Sequence, residues 1–304
     1  MENDALLSWI EADIASCRCG VPEFPVTTMT RTLWSGIKAI AKLLDRPKAA
    51  LDAGSGSGAH SFLLASLGVE NVQGLERCGE AVACAKDRAN RLHAALPDAA
   101  NWAWPQFIQG CVEAVPRNSE LLDQFDIMTM NPPAFYTPTK IDISRPLDSG
   151  LYTGNPPTPA EPDPANPIND FFRIAVSQRL APGGIAICTW PGIQARQVTD
   201  GTASKLHPAQ ILMRRFNWQI EGADSVLAED FYRFSSKLAY NDSPGNGFRR
   251  YTHLCLEDGK YHSYVQRSDP EHQHQPTFAF GVLAIRRDTH VPDLFHLIDI
   301  NLQT

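Results

Sequence analysis

Apolar positions recur at helical spacing twice near the start of the chain. Leu6, Leu7, Ile10 and Ile14 do so within 5–17, and Leu33, Ile37, Ile40, Leu43 and Leu44 within 29–44, ahead of Pro47. A period near 3.6 predicts two helices. From Ala49 the pattern changes. Short apolar runs at 49–53, 72–76, 107–109, 125–130 and 185–190 predict strands, and the stretches 59–67, 80–92 and 168–180 predict helices between them. Alternating strands and helices predict a parallel sheet covered by helices on both faces. The segments 216–223 and 277–285 also read as strands, forming an antiparallel edge that completes a seven-stranded sheet. The expected class is therefore α/β and Rossmann-like, with a helical segment at 1–47 and one large domain at 48–304.

Two stretches escape this rhythm. Eight prolines fall in 138–167, which argues against helix or sheet interior and leaves a linker or a loop covering a pocket. The span between the last two strands is far longer than a hairpin needs and holds Phe231-Tyr232-Arg233-Phe234, Arg249-Arg250-Tyr251 and His272-Gln273-His274. It reads as an inserted lobe at about 228–275, serving as an extra β-rich unit, a lid or an oligomer contact.

Composition narrows the partners. Of 304 residues, 43% are hydrophobic and 20% charged, the balance of a globular chain. No apolar run is long enough to cross a bilayer, and the start Met1-Glu2-Asn3-Asp4 lacks a signal-peptide pattern. The expectation from these features is a cytoplasmic protein away from membranes. A net charge of −7 argues against a dedicated nucleic-acid binder, since phosphate binding needs a positive field. Seven scattered cysteines, with Cys17 and Cys19 the one close pair, complete no zinc pattern. Scattered histidines at 253, 262, 272 and 274 read as surface residues, so no metal is expected.

The first candidate chemistry is Asp52-Ala53-Gly54-Ser55-Gly56-Ser57-Gly58, a glycine loop between a predicted strand and helix. Glycine lets backbone approach a ligand without a Cβ clash, and the helix start behind it presents free N–H groups. Glu76 ends the second predicted strand, where a carboxylate can accept hydrogen bonds from both ribose hydroxyls. There is no Gly-x-x-x-x-Gly-Lys-Ser/Thr loop to grip a nucleoside triphosphate.

The second candidate is Asn131-Pro132-Pro133, directly after the predicted strand Phe-Asp-Ile-Met-Thr-Met. The Asn131 side-chain carbonyl and the Pro132 peptide carbonyl are two acceptors on a turn stiffened by proline. Such acceptors can hold a planar NH₂ or NH with its lone pair aimed at an electrophile and stabilise the positive charge that develops. Asn155-Pro156-Pro157 repeats the tripeptide without that strand context and carries no assignment.

The glycine loop with Asp52, together with Asn131-Pro132-Pro133, Asp170-Phe171-Phe172-Arg173 and Leu180-Ala181-Pro182-Gly183-Gly184, resembles class I S-adenosylmethionine (SAM) methyltransferases. Over roughly 48–190 it is similar to the protein-glutamine N5-methyltransferase and rRNA guanine N2-methyltransferase group. The resemblance implies SAM as methyl donor and S-adenosylhomocysteine (SAH) as product. It implies cofactor contacts from Asp52, Gly54, Ser55, Gly56, Gly58, Glu76 and Asn131, with Cys111 beside the adenine through its backbone. It implies catalysis by Asn131, Pro132 and Tyr136, and a substrate wall of Asn131, Pro133, Phe135 and Tyr136. Two departures stand out: Cys111 replaces an acid after the third strand, and Ala134 stands where the motif has an aromatic.

The reading that follows is methyl transfer to an amide, guanidine or aryl-amine nitrogen, with a small-molecule acceptor ahead of protein glutamine and an RNA base. An NAD-dependent oxidoreductase shares the glycine loop and Glu76 but leaves Asn131-Pro132-Pro133 unexplained. A methyltransferase-fold scaffold without activity is the non-enzyme alternative. The oligomeric state is open.

Overall fold

The computed structural model describes residues 3–16, 26, 28–96, 102–132, 135–137, 151–153, 167–191, 208–223, 240–241, 277–278, 280–298 and 300. In chain order the elements begin with α1 (Asn3–Ser16), α2 (Thr28–Ala41), β1 (Ala49–Ala53), α3 (Ala59–Ser66), β2 (Asn71–Glu76), α4 (Gly79–Ala95) and β3 (Gln106–Gln109). A 3-10 turn (Val112–Arg117) leads to β4 (Phe125–Met130), β5 (Phe135–Thr137) and β6 (Leu151–Thr153). A helical run follows: α5 (Pro167–Asp170), a π turn (Phe171–Val176) and α6 (Ser177–Arg179). The remainder is β7 (Leu180–Pro191), α7 (Pro208–Phe216), β8 (Gln219–Glu221), β9 (Tyr240–Asn241), β10 (Thr277–Phe278), β11 (Phe280–Arg287) and β12 (Leu294–Leu297).

The main sheet has eight strands in the order β3-β2-β1-β4-β7-β11-β12-β8. β3, β2, β1, β4 and β7 run parallel, and β11 enters antiparallel against β7. Side chains alternate between faces, as a strand requires. Ala50, Ile127, Ile187 and Val282 pack with Leu6, Ile10, Leu33, Trp34 and Ile37 of the N-terminal helices and with Phe62 of α3. Leu51, Met128, Ala186 and Leu283 pack on the other face with Phe171, Phe172, Leu212 and Trp218. Both faces are covered, which is why the parallel strands are apolar on both sides. The segment 1–47 therefore shares one core with the sheet through its described residues.

The edge differs from the sequence expectation. The segments 216–223 and 277–285 do not pair with each other. β12 lies between β11 and β8, antiparallel to the first and parallel to the second, giving eight strands rather than seven. Residues 216–219 close a helix and enter a strand of three residues, Gln219–Glu221, instead of forming a longer strand. The helix expected over 168–180 is present but passes through the π turn. Of the expected lobe at 228–275, Tyr240–Asn241 is described and pairs with Thr277–Phe278; the rest, with the four histidines there, lies outside the described residues. So does most of 138–167, apart from Leu151–Thr153 and Pro167.

Candidate functional site

The sheet order reverses between β1 and β4: the chain moves outward through β2 and β3 on one side and through β7 on the other. A crevice opens at the carboxyl ends of the strands at such a switch point. Ala53 and Met130 are register partners, so Gly54 and Asn131 leave adjacent strands at the same level. The two motifs read from sequence meet there.

The glycine loop is pinned mainly by backbone. The N–H groups of Gly54 and Ser55 donate to the Leu75 carbonyl at 2.7 and 3.0 Å, and that of Gly58 to the Ser55 carbonyl at 2.8 Å. Gly54, Gly56 and Gly58 have φ of 70°, 50° and 82°, the left-handed region that side chains disfavour. Their surroundings separate their roles. A Cβ on Gly54 would meet nothing within 4 Å, so this exposed turn has room for a ligand. A Cβ on Gly58 would strike the Phe107 ring at 2.8 Å, so that glycine serves interior packing.

Glu76 is 4% exposed, and its carboxylate accepts the Gly56 N–H at 3.0 Å and the Cys78 N–H at 2.9 Å. Burial pushes its pKa up, against the pull of these two hydrogen bonds and of Arg77. Each carboxylate oxygen can accept further hydrogen bonds, so the group fits a ribose diol while already bridging the loop to α4. Cys111 follows β3, next to Gly110, whose N–H donates to the Glu76 carbonyl at 2.9 Å. It is half-buried, and burial followed by nearby Glu113 raises its thiol pKa.

Asp52 ties the strand below the loop to its neighbours, and the Ser55 side chain packs under the loop. Asp52 is buried and accepts the Ser61 hydroxyl at 2.7 Å and the Thr129 hydroxyl at 3.0 Å, tying β1 to α3 and β4. The Ser55 hydroxyl lies 3.0 Å from where a Cβ on Gly74 would stand, turned against β2, and has no hydrogen-bond partner among the described residues.

Asn131 is half-buried, and its Oδ1 accepts the Thr189 hydroxyl at 2.9 Å. Thr189 is a buried residue of β7 that sequence reasoning missed. A threonine inside an apolar strand gives no local signal; its proximity to Asn131 follows from the β4–β7 pairing that aligns Met130 with Cys188. Pro132 is buried. Pro133 lies outside the described residues. Phe135 and Tyr136 form β5 with partners Leu151 and Tyr152; their side chains are not among those described.

No protein-family model matches the chain, and no curated protein sequence matches it significantly. Solved structures do. The glycopeptide N-methyltransferase MtfA, determined with SAM, is 17% identical with a TM-score of 0.33 over 52% of this chain and 54% of that one. The CcbJ methyltransferase from Streptomyces caelestis is 21% identical with a TM-score of 0.33, over 52% and 48%. An O-methyltransferase from Bacillus cereus, in complex with SAH, is 15% identical with a TM-score of 0.40, over 70% and 77%. The match spans about half the length of the first two. The Rossmann-like α/β fold itself is read from the strand order and directions above. Among the described residues, no helix is long and apolar enough to cross a membrane and no cluster of His, Cys, Asp and Glu could hold a metal ion.

Proposed function

We propose that the protein is a SAM-dependent N-methyltransferase acting on a planar amide, guanidine or aryl-amine nitrogen of a small molecule. The observation that carries this reading is the meeting of Gly54 and Asn131 at the carboxyl ends of adjacent strands β1 and β4. When bound, SAM supplies a methyl group already activated on a sulfonium. The chain then has to hold and align. Gly54 leaves space at the loop, and Glu76 offers its carboxylate to the ribose hydroxyls. Asn131 Oδ1 keeps one lone pair on Thr189 and has a second for an acceptor N–H. The Pro132 carbonyl is the other acceptor. Two acceptors fix the plane of the nitrogen and stabilise the cation that forms before its proton leaves. Pro133, Phe135 and Tyr136 would line the substrate side.

The acidic net charge of −7 supports a small acceptor over an RNA base. Calorimetric titration with SAH and with NAD⁺ separates methyltransferase from oxidoreductase: SAH binds and NAD⁺ does not. Transfer of a labelled methyl from SAM into cell extract, split into small-molecule, protein and RNA fractions, then names the acceptor class. Label in the small-molecule fraction is expected, and Asn131→Ala should remove it while SAH still binds. Undiminished transfer by that variant would sink the role of Asn131, and label confined to RNA or protein would replace the acceptor.

A further inference from the structure

The glycine loop is held from a direction that its own motif does not supply. Arg88 lies within α4 and is 3% exposed. Its Nη1 donates to the Ser57 carbonyl at 2.6 Å, and its Nε donates to Asp13 Oδ2 at 2.8 Å. Asp13 belongs to α1, and its side chain is 9% exposed. The same carboxylate takes two hydrogen bonds from Arg91, at 2.7 and 2.8 Å. α1 is seated by Leu6, Leu7 and Ile10, all buried in the core beneath the loop's own helix α3. A continuous chain of contacts therefore runs from the N-terminal helix, through one carboxylate and one guanidinium, to the Ser57–Gly58 peptide of the loop.

That peptide is held from outside the loop as well as from within it. Glycine on both sides of Ser57 leaves the backbone free to rotate at small cost. A fixed carbonyl also fixes the N–H of the same peptide plane, here the Gly58 N–H bonded to Ser55. Arg88 is desolvated, which lowers its pKa, and Asp13 counters this with charge and a hydrogen bond. A buried guanidinium with its carboxylate removed would be drawn toward water or another partner, and the Ser57 carbonyl would lose its donor.

We propose that Asp13 and Arg88 are positioning residues for the cofactor loop, so that α1 sets the affinity of the site for SAM and SAH. The inference rests on the cofactor reading above. A loop that is loose before binding must be ordered by the ligand, and affinity falls by that ordering cost.

The test uses the full chain. Asp13→Asn keeps the shape of the side chain and removes its charge; Arg88→Lys keeps the charge and loses the planar fork. SAH binding by calorimetry is expected to weaken about five- to tenfold in each variant. Amide hydrogen exchange over 54–58, measured without ligand, is expected to quicken in both. Glu11→Gln, which removes the exposed α1 partner of Arg31, is expected to leave both readouts unchanged. A lower melting temperature with unaltered SAH affinity and unaltered loop exchange would overturn the proposal, since that is what a merely structural ion pair gives. Failure of the unmodified protein to bind SAH would instead overturn the cofactor reading, and loop exchange would still report whether the brace exists. If Asp13→Asn does not fold, Arg88→Lys carries both readouts.

Discussion

A side-chain amide turns about its last torsion unless a partner holds it. Asn131 is held by the Thr189 hydroxyl at 2.9 Å, which commits one lone pair and aims the other. Thr189→Val preserves shape and removes that donor. Its turnover with saturating SAM and the acceptor fraction should fall about tenfold with SAH affinity unchanged, because misalignment acts on the transfer step. Thr189→Ser should restore the rate; equal losses in both variants would mean that packing matters rather than the hydrogen bond. The residues legible in the sequence were those with local demands: Gly54 with its positive φ, Glu76 at a strand end and Asn131 at another. Asp52 was legible as part of the loop motif, but its two partners Ser61 and Thr129 were not. No spacing along the chain encodes a contact made across three elements.

At the scale of elements, the sheet edge holds what the hydrophobic pattern could not express. Leu294-Phe295-His296-Leu297 is too short to stand out as a strand, yet it separates β8 from β11. His296 on this strand places Nδ1 2.6 Å from Glu221 Oε2 on β8 and Nε2 2.9 Å from Asp288 Oδ2 after β11. The Asp288 hydrogen bond raises the imidazole pKa, and Glu221 adds to it. The raised value means that this link stabilises the fold fully below about 6.5 and is lost as pH rises through the folded pKa. Asp288 moves oppositely, down to about 2, through His296 and the N–H groups of His290 and Val291. Its contribution holds above the ordinary carboxylate range and fades only as pH falls toward 2. Thermal melts at pH 6 and pH 9 should show a smaller drop for His296→Gln than for the unmodified protein, by about a degree or two, as suits a partly exposed group. An identical drop in both proteins would remove His296 as the cause. The π turn at Phe171–Val176 was equally hidden, since its residues keep helical spacing.

For the whole molecule, the α/β class was legible because strand and helix periods alternate cleanly from Ala49 to Met130, whereas the switch-point crevice follows from the strand order alone. The union of α1 and α2 with the sheet was not, since a pattern shows an apolar face and not what covers it. The net charge of −7 bears on the acceptor. With a small-molecule acceptor, transfer rates measured at 50 and 200 mM salt should differ by less than about twofold. The affinity for an acceptor held by many phosphate contacts would fall roughly a thousandfold over that interval, and the rate at subsaturating acceptor with it. The place of β11 has a consequence of another kind. It lies between β7 and β12, and its pairing of Phe280 with Pro191 joins parts of the chain separated by α7, β8, β9 and β10. Five parallel strands can meet while the polypeptide is still being synthesised, before β11 has left the ribosome. The sheet's remaining seam closes by a long-range encounter, the slow kind of event in folding kinetics, and until it does, the β7 edge is open to pairing with the wrong chain.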